Sequence, residues 1–228
     1  MKSQNEKPHY FGHRQRLQKK FAAHPGYISD HELMEMLLFF VFQRKDTKPL
    51  AKTLLNRFKS LKGIISSSRF YLKKIDGVGD STANLIAILH EIFNRMLMEK
   101  IVESKTIMST AQVLEYYQNL LEHLKKEQFR IMFLNNKNKL ISEELMQEGT
   151  VNNTAIYPRE IVQKSLEYGA SAIIMVHNHP SGDPDPSRQD IIMTKAVKDV
   201  AQKLDISLLD HIIIGKSKTV SLKELGII

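Results

Sequence analysis

The 228-residue chain contains no cysteine. That absence excludes disulfides, thiolate zinc fingers and cysteine nucleophiles together. Any transition metal must then be held by imidazole and carboxylate groups. Long hydrophobic runs are also missing. The longest near the N-terminus, Leu37 to Phe42, is far too short to span a bilayer. The first twenty residues lack the apolar core of a signal peptide, so a cytoplasmic location and no membrane partner are expected. No internal repeat or low-complexity segment is visible. The composition is 42% hydrophobic and 25% charged, which argues against disorder, and the length suits one large domain or two small ones.

Charge is distributed unevenly. Residues 1–105 carry 19 Lys+Arg against 10 Asp+Glu, whereas residues 106–228 carry 14 against 15. A basic half beside a neutral half suggests two functions, the basic one facing a polyanion. The plain alternative is a solvated surface that happens to be basic.

The first half reads as helical throughout. A short basic helix is expected from about Phe11 to Phe21. Ser29 and Glu32 form a capping-box pattern, and Leu33 to Phe40 would be an apolar core helix. Pro49 suits the first turn of another helix, and a long one is expected from Asp80 to about Glu99. The junction is placed at residues 100–110, which divides the chain into 1–104 and 105–228. Beyond it come helices at Ala111–Leu124, Pro158–Tyr168 and Asp190–Leu204. Strands are expected at Phe129–Leu134, Lys139–Gln147, Ala170–Val176, Ile206–Ile214 and Val220–Leu222. This mixture predicts an α+β or α/β second domain.

The most informative stretch runs from Val176 to Asp190. Residues two apart on a strand point the same way, so His177 and His179 aim at one place. Pro180 stops the strand, and a loop rich in Gly, Pro and Asp returns to a helix N-terminus. Ser187 is a natural cap there, with Asp190 in the first turn. Two imidazoles and one carboxylate make a three-ligand zinc set that leaves a fourth position for water, whose pKa zinc lowers to ~7. One zinc ion per chain is expected. An isolated His-x-His pair is a weak signal. The combination of buried strand, His-x-His-Pro and Ser-x-x-Asp is what lifts it. Asn178 and Ser181 are assigned to loop geometry, and Gly182 to a backbone position of positive φ. His211, which follows Asp210 on a strand, reads as a packed, hydrogen-bonded histidine in preference to a partner of the metal ligands.

In the basic half, the segment Leu72 to Ala83 resembles a helix–hairpin–helix motif. Gly77 and Gly79 would let the chain turn tightly, and the amides at the next helix start would face a phosphate. Lys73, Lys74 and Arg69 would be counter-charges, against the negative charges of Asp76 and Asp80. Such contacts give DNA affinity without sequence readout. A hairpin that only packs is the alternative. Aromatic residues are few here, so base stacking is not indicated.

The His-x-His-Pro and Ser-x-x-Asp elements match the JAMM signature of the JAB/MPN family. The longer run from His177 to Ser187 closely resembles the bacterial RadC proteins. Gly12-His13-Arg14, Ser29-Asp30-His31-Glu32-Leu33, Arg44 to Leu50, Gly77-Val78-Gly79, Pro158-Arg159-Glu160 and Leu209-Asp210-His211 extend the match over nearly the whole chain. The resemblance implies an all-helical, helix–hairpin–helix-like domain followed by a three-layer α-β-α JAB/MPN domain, cytidine deaminase-like in fold. It implies zinc ligation by His177, His179 and Asp190, and a hydrogen bond from Ser187 to the developing oxyanion. An early-strand glutamate would be general base. Glu127 is the first choice, with Glu148, Glu143 and Glu144 as alternatives. The implied activity is hydrolysis of a peptide or isopeptide bond, linked to DNA repair. Two rivals remain: a zinc-dependent DNA nuclease, and a non-enzymatic DNA-binding accessory with structural zinc.

Overall fold

The computed structural model describes residues 12–103, 110–149 and 156–228. It divides into two compact units, Met1–Glu91 and Ile92–Ile228. The expected junction at 104/105 lies outside the described residues. The units part earlier, inside a single long helix.

The first unit is helical: α1 (His13–Ala23), α2 (Asp30–Leu38), α3 (Lys48–Phe58), α4 (Leu61–Ile65), α5 (Arg69–Leu72) and the first half of α6 (Asp80–Glu103). A 3-10 turn, Pro25–Tyr27, follows α1. At the start of α2 the Glu32 carboxylate accepts the Ser29 amide at 3.0 Å, as the capping-box pattern predicts. Met34 and Leu38 of α2 join Leu50, Ala51 and Leu54 of α3, with Ile64, Leu72, Val78, Ala83 and Ile86, in one apolar core. Not all of the expected core helix points inward. The helix ends at Leu38, and Phe40 is 83% exposed.

The second unit contains the rest of α6, then α7 (Thr110–Leu121), β1 (Glu127–Leu134), β2 (Leu140–Gly149), α8 (Pro158–Glu167), β3 (Ala172–Asn178), α9 (Arg188–Gln202), β4 (Ser207–Ile214) and β5 (Thr219–Ser221). The strands form one sheet in the order β2-β1-β3-β4-β5. Pairing is antiparallel except between β3 and β4, which run parallel and are joined through α9. A parallel neighbour requires such a crossover, because a tight hairpin cannot reverse the chain twice. Every residue of β3 is buried. That fits its near-continuous apolar sequence and its place at the centre of the sheet.

Strand alternation sorts the sheet into two faces. Met132, Leu134, Ala172, Ile174, Val176, Ile212 and Ile214 pack with Leu97 and Ile101 of α6 and with Val113, Tyr117 and Leu121 of α7. Phe129, Ile131, Phe133, Ile173 and Met175 pack with Ile161 and Val162 of α8 and with Val197 and Ala201 of α9. The second unit is thus helix, sheet, helix in three layers. Among the described residues, no helix is long and apolar enough to cross a membrane.

Candidate metal centre

The centre lies where β3 ends, on the face covered by α9. His177 is the penultimate residue of β3 and continues the row Ile173, Met175 on that face. His179 stands just past the strand, its amide still bonded to the Ile214 carbonyl at 2.9 Å. Asp190 is the third residue of α9. Ser187 caps that helix. Its Oγ accepts the Asp190 amide at 3.1 Å, and its own amide is accepted by Asp190 Oδ2 at 2.7 Å. This reciprocal bonding fixes the carboxylate's rotamer.

One donor atom from each of His177, His179 and Asp190 falls within 4.8 Å of the others. The two Nε2 atoms face one another at 3.0 Å, and each lies 3.4 Å from an Asp190 oxygen. The Nδ1 of His179 is 2.8 Å from the Asp183 carbonyl. A carbonyl only accepts, so His179 carries its proton on Nδ1 and turns Nε2 inward. Two imidazole nitrogens held this closely beside a carboxylate require a proton or a cation between them. Nitrogen and oxygen donors at this spacing fit zinc.

These groups shift one another's protonation. Burial pushes the His177 pKa down to about 4, and burial with its histidine neighbours holds His211 well below the ordinary range. His179 is raised, chiefly by its bond with Asp190. Burial works to raise Asp190, but the bond with His179, the charge of His177 and the Ser187 contacts together hold it well below the usual carboxylate range.

Glu127 opens β1. The antiparallel β1–β3 register pairs Phe129 with His177, so Glu127, two residues before Phe129, and His179, two residues after His177, lie at the same end of the pair. Glu127 is half-buried and feels both His179 and Asp190. Burial raises its pKa, Asp190 adds to the rise, and His179 offsets it. The other candidate carboxylates are engaged elsewhere. Glu143 pairs with Arg130 at 2.7 Å, Glu144 accepts the Tyr168 hydroxyl, and Glu148 is held by Lys126 and Gln128.

Three residues play parts that the sequence alone does not assign them. Asn178 is no loop residue. It is buried in β3, where Oδ1 accepts the Gln128 amide at 2.8 Å and Nδ2 donates to the Lys126 carbonyl at 3.1 Å. His211 is packed, as expected, but its Nε2 also lies 2.8 Å from His177 Nδ1. Thr194 belongs to no motif, yet it is a fully buried polar residue on the inner stripe of α9 with Val197 and Ala201. A polar side chain in an apolar stripe is the signal that could have found it. Ser181 and Gly182 behave as loop residues: Ser181 Oγ accepts the Asp183 amide at 3.3 Å, and Gly182 has φ +90°.

The glycine turn of the first unit lies between α5 and α6. Gly77 has φ +84°, whereas Gly79 is not among the positive-φ glycines. Lys73 is spent on Asp80 at 2.8 Å, and Arg69 reaches the same oxygen at 3.4 Å. Lys74 stands over the Phe70 ring, 4.4 Å from its centre. Two of the expected counter-charges are therefore already paired within the turn.

Compared with known families, residues 107–227 match the model for the RadC-like JAB domain.

Proposed function

Because the chain belongs to the RadC family, we propose that it is a zinc-dependent hydrolase that cleaves a peptide or isopeptide bond, coupled to a DNA-binding helical unit. The observation that carries the reading is the cluster of His177, His179 and Asp190, one donor atom of each within 4.8 Å of the others, with the half-buried Glu127 opening the neighbouring strand β1. A base beside a three-ligand set is the arrangement that water activation needs.

His177, His179 and Asp190 would hold the ion. When bound, zinc supplies a Lewis acid and brings the pKa of water to ~7. Glu127 would accept a proton from the attacking water and pass it to the leaving amine. Ser187 would donate its O–H to the oxygen on which charge develops, a bond that strengthens in the transition state. Water and amide thus become acid and amine, with each proton assigned. DNA binding by the first half is supported by its excess of 19 Lys+Arg over 10 Asp+Glu and by the glycine turn before α6.

The test is zinc content of untagged protein purified without chelator, followed by screening of peptide and labelled DNA substrates. We expect near-stoichiometric zinc, lost in the His177→Ala, His179→Ala variant. Glu127→Gln should keep the zinc and lose ~10²-fold or more in peptide hydrolysis. DNA cleavage abolished by His177→Ala would move the reaction to a phosphodiester. No zinc even after adding it back would sink the hydrolase reading.

A further inference from the structure

Behind the ligands runs a chain of hydrogen bonds whose direction is set at one end. Thr194 Oγ1 lies 2.5 Å from the main-chain oxygen of Asp190 and 2.6 Å from His211 Nδ1. His211 Nε2 in turn lies 2.8 Å from His177 Nδ1. His211 is itself anchored, since its amide and that of Lys223 both bond Asp210 Oδ1, while Ser221 Oγ bonds Asp210 Oδ2. The His177 and His211 rings and the threonine are buried.

The carbonyl of Asp190 can only accept. Two oxygens 2.5 Å apart with no hydrogen between them would repel, so the Thr194 O–H points at Asp190. The hydroxyl oxygen is then left to accept, and His211 must donate from Nδ1. A neutral imidazole has one N–H, so His211 Nε2 is bare and accepts from His177 Nδ1–H. His177 therefore turns a bare Nε2 toward His179 and Asp190. The reverse orientation would put a proton on His177 Nε2, where no metal could bind.

We propose that Thr194 and His211 are positioning residues that lock His177 in its metal-binding tautomer. They also tie it to α9, the helix that carries the third ligand. The proposal rests on the metal reading above, and it makes one circuit of the site: His177, His211, Thr194 and the main chain of Asp190 form a hydrogen-bonded chain, two of whose members, His177 and Asp190, would hold the ion. Groups that orient a metal-bound histidine through its far nitrogen typically change metal affinity by ~10–100-fold when removed.

The experiment combines histidine 15N NMR of the metal-free full-length chain with zinc affinity measured by chelator competition. In the wild type, both His177 and His211 should carry the proton on Nδ1. In Thr194→Val, His211 loses its acceptor and should shift to Nε2–H, carrying His177 with it, and zinc affinity should fall ~10–100-fold. Thr194→Ser retains the hydroxyl and should restore both readouts. Nε2–H tautomers in the wild type would overturn the proposal even if the valine variant failed to fold. So would a folded Thr194→Val that binds zinc as tightly as the wild type. Wild-type protein with the expected tautomers but no zinc uptake would keep the relay and overturn the hydrolase reading instead.

Discussion

Asn178 grips the main chain on either side of Glu127, accepting from the next residue's amide and donating to the preceding carbonyl. The residue between the two clustered histidines thus fixes the strand start on which the proposed base stands. Asn178→Leu leaves both main-chain groups without their partner, which costs about 1–3 kcal/mol. Urea unfolding should show the loss, and hydrogen exchange should show faster exchange at the Gln128 amide. An unchanged midpoint with unchanged exchange would mean that the clamp contributes nothing.

Gly215 fails to tolerate a side chain for a different reason. A Cβ there would meet the Gly182 oxygen and Pro184 Cδ, each at 2.6 Å. Backbone and ring atoms cannot swing aside, so the loop must move, and with it Asp183, whose carbonyl receives the His179 Nδ1–H. Gly215→Ala is expected to destabilise by about 1–3 kcal/mol and to weaken zinc binding ~10-fold. Gly26→Ala is the control, since nothing lies within 4 Å of a Cβ there. Equal zinc affinity in the two variants would refute the loop's role.

Acid should unfold the metal-free protein early. His177 and His211 both have depressed pKa values in the folded state, against ~6.5 when unfolded. Below ~6.5 the unfolded chain binds protons that the folded chain refuses, so stability falls with pH by about 1.4 kcal/mol per unit for each histidine. For His177 the loss ends once pH has fallen through about 4. His179, with its raised pKa, works the other way, though it is half-exposed. Urea titrations of chelator-treated protein from pH ~7.5 to ~4.5 should steepen below ~6. A flat profile would show that the two buried rings are not held neutral.

The glycine turn gives a prediction of opposite sign to ordinary charge removal. Asp80 occupies Lys73 and Arg69 and adds a negative charge where a phosphate would sit. Asp80→Asn should therefore tighten DNA binding severalfold and steepen its salt dependence, by about one unit for each further phosphate that the freed cations neutralise. Lys74→Gln should weaken it. Fluorescence anisotropy across a salt series decides. Weaker binding by Asp80→Asn would place any DNA contact elsewhere.

The clustering of His177, His179 and Asp190 is legible in the sequence because their geometry is local. Alternation along one strand brings His177 and His179 to one side, and a cap followed by a first-turn acid puts Asp190 at a helix N-terminus. The three layers follow from the alternation of strands and helices and from the family resemblance. Thr194 and His211 are not legible in the same way. Their link to His177 depends on the parallel register of β3 against β4, where His211 pairs with Met175, and on the rotation of α9 above it. No local pattern encodes that register. Asn178 reads as a loop residue because Pro180 and Gly182 suggest an early end to the strand, whereas β3 runs to residue 178.

Helix α6 gives residues to two interiors. Ala83 and Ile86 belong to the first core, and Leu97 and Ile101 to the one beneath the sheet. A truncation at the expected junction would strip the sheet of Leu97 and Ile101, while a cut between residues 91 and 92 would sever a continuous helix. Neither half is therefore a portable cassette. Any exchange of the sheet-bearing half between relatives must carry this helix along, and a change anywhere in its 24 residues answers to both interiors.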